Sequence, residues 1–255
     1  MEAPTYLSPS SIATYRDCPQ KFKLSRIDKI PQPPTWATHV GSFVHEVLEH
    51  LYQVDPGDRT IDTLKRLAAD RWSQSDWESK VNALEQPLGG TKEFKIQSFG
   101  CMTNLWKLED PQQTELDGME HEVMAEVEGV AMKGYIDRFI FGENGIVISD
   151  YKTGKIPNPK FTSDDDKFFQ LLAYAAMIEA ADDEPTEKVQ LLYLGVPVAH
   201  DLAVTPVNLS IAKGTIVETR EGIDAAVVRG EFPCNVTKLC DWCHYKTTRA
   251  CPAFQ

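Results

Sequence analysis

The sequence predicts an α/β protein with a central mixed sheet flanked by helices, on three observations. Val40, Phe43, Val44, Val47, Leu48 and Leu51 form one stripe at helical spacing. From Glu120 the texture changes to strand-like runs at 120–127, 130–141 and 145–152. A helical stretch at 167–181, a continuous apolar run from Val189 to Val196 and a second helical stretch at 210–229 then alternate. Repeats and low-complexity tracts are absent, so the 255 residues read as one domain with ends at 1–30 and 230–255, a helical part at 31–110 and a core at 118–229.

In chain order, Ser8 reads as an N-cap with Pro9 at the first helical position, opening a short helix through Ile12 and Tyr15 that Pro19 stops, with Cys18 at its end. Beside the 40–51 stripe, Gly41, His45 and Glu49 form an i, i+4 row. Residues 61–110 read as mostly helical, with loops around Pro87 to Gly90, and carry no recognisable chemistry; they read as scaffold or lid. Alternation at His121, Val123, Ala125 and Val127 marks the first strand, and Asn144-Gly145 is a hairpin signal between the next two. Asp164, Asp165 and Asp166 precede the helix at 167–181, whose stripe includes Phe168, Leu171, Leu172, Ala175 and Ile178.

A content of 42% hydrophobic and 25% charged residues excludes disordered and collagen-like chains. An apolar leader and an 18-residue apolar window are both absent, so the expectation is a cytoplasmic protein without signal peptide or membrane span.

The strand Ile146 to Lys152 turns Ile146, Ile148, Asp150 and Lys152 to one face. If Glu143-Asn144 or Asn144-Gly145 is the two-residue loop, Asp137 falls opposite Asp150 or Lys152, and either register leaves all three on one face. Opposed Cβ atoms lie roughly 5 Å apart and diagonal ones roughly 7 Å, near enough for both carboxylates to share a divalent ion. Mg²⁺ wants oxygen ligands and keeps several waters, so it can activate water against a phosphoryl group while Lys152 positions the water or steadies the pentavalent state. The same spacing also reads as a surface Asp-Lys pair ending an edge strand.

Gly134-Tyr135-Ile136-Asp137-Arg138, Asp150-Tyr151-Lys152-Thr153-Gly154, then Gln170 and Tyr174 at QxxxY spacing follow one another. With the GxxxHxxxE row, the opening SPSSIATYRDCPQKFKL and the ending CDWCHYKTTRACP, this order resembles the RecB-like branch of the PD-(D/E)xK nucleases. The combination is similar to that of CRISPR-associated exonucleases and of the nuclease domain of the AddB helicase partner. The resemblance implies a restriction-endonuclease-like core in which His45, Asp137, Asp150 and the Tyr151 carbonyl hold Mg²⁺ or Mn²⁺. It further makes Asp137, Asp150 and Lys152 catalytic, and sets Gln170 and Tyr174 along a DNA channel. On the residues alone, His45 also reads as a helix-face histidine bonded to Glu49, and Tyr174 as packing.

Six cysteines stand at 18, 101, 234, 240, 243 and 251, four of them within the last 22 residues. In a reducing compartment such clustering points to metal. Cys240 and Cys243 form a CxxC, and Cys251 follows after seven intervening residues. The resemblance implies Cys18 as the fourth thiolate and a 4Fe-4S cluster of structural role, stapling the ends of the chain; Cys234 is the local alternative. Four thiolates hold zinc equally well, and the last interval is slightly longer than is usual in the family, which keeps zinc open. Cys101 reads as an ordinary buried cysteine.

The expected activity is metal-dependent hydrolysis of DNA, implied by the resemblance to be exonucleolytic on single-stranded ends. Implied partners are a helicase, recombination, repair or CRISPR adaptation protein, or a second copy of the chain, in the cytoplasm or, if phage-encoded, the host's. Two rivals stand beside it: a non-catalytic DNA-binding or scaffold protein of the same fold, and a zinc-stapled nuclease with another nucleic-acid substrate. A net charge of −12 at first argues against a nucleic-acid binder. However, residues 108–128 carry eight acids and no Lys or Arg, and residues 164–187 carry eight acids and one Lys. The other 210 residues sum to +3, and both chain ends are mildly basic. The sequence therefore leaves room for a DNA track past Lys21, Lys23 and Arg26 toward Asp150.

Overall fold

The computed structural model describes residues 1–84, 89–160 and 162–255, so part of the loop expected at 87–90 lies outside the described residues. Ser8 caps α1 (Pro9–Asp17) in a capping box with Ser11. Cys18, with extended backbone, is the joint between α1 and α2 (Pro19–Phe22). The stripe read at 40–51 lies on α3 (Trp36–Tyr52), where all six of its apolar residues are buried. α4 (Ile61–Gln74), α5 (Trp77–Asn82) and α6 (Gly90–Asn104) pack with α3 around Phe43, Trp72, Trp77 and Phe94. This region is thus a packed layer of the fold, which favours scaffold over lid.

The sheet runs in the order β1 (Gly118–Val127), β2 (Val130–Phe141), β3 (Ile146–Lys152), β4 (Thr186–Tyr193), β5 (Val198–Ala203). It is mixed: β3 and β4 are parallel, joined through α7 (Asp164–Asp182), and the other pairs are antiparallel. The strand read from 189 to 196 in fact ends at Tyr193; Val196 is 51% exposed in a turn, and β5, which the sequence reading lacked, returns alongside. α7, α1 and α8 (Pro206–Arg229) cover one face, and α3 to α6 the other. Phe168, Phe169 and every residue from Leu171 to Ile178 are buried, so α7 is enclosed on most sides instead of along one stripe; its three leading acids form its first turn behind Ser163.

The chain ends meet. Gln20 N donates to Pro233 O at 3.1 Å, Asn235 Nδ2 to Asp17 O at 2.8 Å and Tyr245 Oη to Ile30 O at 3.0 Å, Tyr245 lying on α9 (His244–Thr247). Leu24, Tyr245 and Cys251 form a small core there.

Two features of the sheet shape its functional end. Arg138 opposes Ser149 and Phe141 opposes Ile146, making Glu143-Asn144 the loop, so the register is the one that sets Asp137 opposite Asp150. The ladder stops at Arg138 and Ser149; farther along β2, Leu7 takes the vacated edge, its N–H on Ala131 O at 3.0 Å and its carbonyl on Lys133 N at 2.9 Å. The second feature is a slip of facing. Met119 packs toward α3 but Val123 and Val127 pack toward α7, although period 2 would give all three one face. β2 slips likewise between Ile136, which packs toward α7, and Arg138, which reaches Tyr52 and Tyr151. The slip falls at Glu120, whose φ of 44° is left-handed and which the register sets opposite Asp137.

Gly134 lies under the ring of Tyr174 from α7, and a Cβ there would stand 2.5 Å from Tyr174 Cε1. Gly134→Ala is expected to destabilise the fold by about 1–3 kcal/mol through overpacking, read as a lower urea midpoint at unchanged slope.

Candidate metal centre

The parting of β2 and β3 leaves the backbone of Tyr151 without a β2 partner, and side chains take its place. Asp137 Oδ2 accepts the Tyr151 N–H at 3.1 Å, and His45 Nε2 lies 3.0 Å from the Tyr151 carbonyl oxygen. His45 Nδ1 stands 3.4 Å from Asp137 Oδ2 and 3.9 Å from Glu120 Oε1. His45, Glu120 and Asp137 each bring a ligand atom into a group no more than 4.8 Å across. His45 makes these contacts and none to Glu49, so the helix-face pairing is not what holds it. Gly41 is not demanded by space: a Cβ would meet Thr153 Oγ1 at an ordinary 3.5 Å.

Asp150 and Lys152 approach from the α7 side. Lys152 Nζ is 2.7 Å from Asp150 Oδ2 and donates to Gln170 Oε1 at 3.4 Å. Asp150 is 3% exposed, and the approach of Lys152 is out of hydrogen-bonding alignment, so this buried oxygen lacks a hydrogen bond among the described residues. Asp150 stays outside the 4.8 Å group. Tyr174 is 6% exposed and closes over Gly134 in the core. The packing alternative read for Tyr174 is thus the position it takes in this structure, on a helix enclosed on most sides.

Three carboxylates, Glu120, Asp137 and Asp150, stand near one imidazole and one lysine, so acids outnumber bases at the centre. Burial pushes the Asp137 carboxyl up, and Asp150 and Glu120 push it further, against the pull of His45 and the Tyr151 N–H. Burial alone would lower His45, but Glu120, Asp137, Asp150 and the Tyr151 carbonyl outweigh it and raise the imidazole to about 9. Such crowding of like charge is what a divalent cation relieves, and an imidazole with carboxylate oxygens is a donor set suited to Mg²⁺ or Mn²⁺. Glu120 escaped the sequence reading because only the slip of facing brings it here; its one signal was an acid in register with Asp137.

A second site joins the chain ends. Cys18, Cys234, Cys240, Cys243 and Cys251 line one cavity of about 240 Å³, with Lys21 also at its wall. Cys18 Sγ accepts the Asn235 N–H at 3.5 Å, Cys240 Sγ accepts the Thr237 N–H at 3.4 Å, and Cys234 and Cys251 lie 3.7 Å apart. Cys101 is buried in the helical layer, as read. Of the three cations read for a DNA track, Lys23 pairs with Asp28 at 2.5 Å.

The family model described as the PD-(D/E)XK nuclease superfamily matches residues 6–252. The Gene 69 protein of Mycobacterium phage L5 is 23% identical over 293 aligned positions, covering 97% of this chain and 96% of that one. The Gene 69 protein of Mycobacterium phage D29 is 26% identical over 182 positions, covering 60% and 64%. A candidate exonuclease from Eubacterium rectale, known from its crystal structure, superposes with a TM-score of 0.63 over 94% of this chain and 88% of that one; at 17% identity the likeness speaks for the fold.

Glu120→Gly should act in two opposite directions. Removing left-handed strain and a crowded carboxylate raises metal-free stability by up to about 1 kcal/mol, while Mn²⁺ binding weakens. Urea unfolding without metal and titration calorimetry with Mn²⁺ read the two effects separately.

Proposed function

The chain belongs to the PD-(D/E)XK nuclease superfamily, and from that premise we propose that it is a Mg²⁺- or Mn²⁺-dependent DNA nuclease of the RecB-like branch, acting as an exonuclease on single-stranded ends. One observation carries the reading: the Tyr151 backbone is clasped between Asp137 and His45 while its two neighbours, Asp150 and Lys152, form a close ion pair. His45, Asp137, Asp150 and the Tyr151 carbonyl would hold the ion, with Glu120 beside them. When bound, the ion supplies Lewis acidity to a phosphoryl oxygen and to the attacking water. Lys152, beside Asp150 and bonded to Gln170, donates to the water or to the phosphoryl oxygens on which charge develops. Asp150, which is buried, and Gln170, which is half-buried, position the ammonium of Lys152. The phage origin of both relatives supports a phage-encoded enzyme working in the host cytoplasm. None of the described helices is long and apolar enough to cross a membrane.

At the second site we place a structural 4Fe-4S cluster. A tetrahedral zinc ion with Zn–S bonds of about 2.3 Å would draw its sulfurs to about 3.8 Å of one another. Among the described residues no three cysteine sulfurs lie within 4.8 Å of each other, although five share the cavity. Cys234 and Cys251 alone stand at the zinc spacing, 3.7 Å apart, and the wider separation of the rest supports a larger, polynuclear group. Cys18, Cys240, Cys243 and Cys251 are the ligands implied by their motif, with Cys234 beside them.

End-labelled single-stranded DNA with Mg²⁺ or Mn²⁺ tests the activity. Asp150→Ala and Lys152→Ala should each lose about 10²–10³-fold or more in rate, as removal of a group that stabilises transition-state charge does. Equal degradation by all three proteins overturns the site. For the cluster, protein purified without oxygen should be brown and contain iron and acid-labile sulfide, both lost in Cys240→Ser; a colourless zinc protein overturns it.

A further inference from the structure

We propose that Arg138, clamped by Glu109, Tyr52 and Tyr151, is the positioning residue that holds the parts of the metal centre in mutual register. The proposal rests on the nuclease reading above. Arg138 is 4% exposed; its Nη1 and Nη2 donate to the two Glu109 carboxylate oxygens at 2.6 Å each, and Nη1 also donates to the Tyr151 hydroxyl at 2.8 Å. The Tyr52 hydroxyl donates to the same Glu109 carboxylate. Both tyrosine rings lie against the guanidinium, with centroids 5.7 and 5.2 Å away.

The membership of this network follows the site element by element. α3 carries His45 and, seven residues on and on the same face, Tyr52. β2 carries Asp137 and, next to it, Arg138; β3 carries Asp150 and Lys152 with Tyr151 between them. α3, β2 and β3 therefore each supply one member of the clamp beside their site residues, while β1 and α7, which bring Glu120 and Gln170, supply none; Glu109, just beyond the helical layer, closes it. Tyr151 is tied at three points: its hydroxyl to Arg138, its N–H to Asp137, its carbonyl facing His45.

The backbone cannot do this work, because the β2–β3 ladder ends at Arg138 and Ser149. Beyond that pair only side chains fix the distance between the strands. Stability is a poor explanation for the clamp: desolvating a guanidinium and a carboxylate consumes most of what their attraction returns, and apolar residues of similar volume commonly serve as well. Arg138 Nε is moreover without a hydrogen-bond partner among the described residues, so the group is not arranged for maximal bonding. What a rigid bidentate fork supplies is direction.

The full chain is compared with Arg138→Lys, Tyr151→Phe and the double variant Arg138→Met/Glu109→Leu. Tm without metal, the Mn²⁺ dissociation constant by calorimetry, and kcat and KM at saturating Mn²⁺ are measured. The double variant is expected to keep its Tm within a few degrees while Mn²⁺ affinity falls about 10-fold or more, as loss of partners behind metal ligands does. kcat should fall while KM stays near its starting value. Tyr151→Phe should show the same pattern more weakly, and Arg138→Lys, which keeps charge but loses the fork, should not restore kcat. Should the double variant fail to fold, Tyr151→Phe, missing one hydroxyl, decides. Variants that fold, bind Mn²⁺ as tightly as the parent and turn over equally fast overturn the proposal. Asp150→Ala runs alongside: cleavage surviving it overturns the nuclease reading while the Mn²⁺ comparison still judges the clamp, whereas a dead Asp150→Ala beside fully active clamp variants overturns the clamp alone.

Discussion

Where β2 and β3 stop pairing, the N–H and carbonyl of Tyr151 lose the partners a ladder would give them, and buried backbone groups cannot be left bare without a cost of the order of a lost hydrogen bond. Asp137 takes the N–H, and the carbonyl turns toward His45. The split thus recruits a carboxylate from one strand and an imidazole from a helix to a single peptide unit. The side chains on either side of that unit, Asp150 and Lys152, reach the same opening from the opposite face of the sheet. Few other arrangements would let residues from both layers converge without a loop, and each group stands on a rigid element.

Charge then sets what the opening can hold. Among the described residues the basic groups facing Glu120, Asp137 and Asp150 are His45 and Lys152, and Asp137 is half-buried between them. The left-handed backbone at Glu120 is a local expense of about 1–2 kcal/mol for a side chain with a Cβ, and its effect is to add a third acid to an already crowded centre. An arrangement that spends conformational energy on concentrating like charge makes sense when a cation completes it. The same view removes the difficulty of the acidic composition: part of the first acidic stretch, Glu109 and Glu120, is spent inside the site and its clamp.

How much of this was legible in the sequence varies with the physics of each residue. The stripe on α3 and the three meander strands follow from periodicities that burial imposes, so they could be read directly. The hairpin left two registers open, because Glu143-Asn144 and Asn144-Gly145 are both credible loops; only the built sheet chooses. β5 has no fully buried residue, and its weak alternation gave no signal. Glu120 escaped notice, and Arg138, although it stands in the quoted motif, was given no role, for a different reason: the place of each depends on a slip of facing at a single position, and period-2 reading assumes there is none. Tyr174 shows the converse: the motif implies a channel position, helical spacing alone also offered packing, and the ring is buried over Gly134.

The cysteine cavity and the metal centre are linked through the same gap. Leu7 fills the edge of β2 that β3 vacates, giving Ala131 O and Lys133 N the partners they would otherwise lack. The residue is held there by α1, which packs on α7 and α8 and ends at Cys18. Cys18 in turn faces the C-terminal thiols across the cavity, where Asn235 already bonds Asp17 and Cys18. A group of the kind proposed for those thiols would fix the far end of α1, whose near end leads from the Leu7 bridge on β2. Because α1 packs on α7, the helix that presents Gln170 to Lys152, such a group would be connected through packed elements to the surroundings of that lysine.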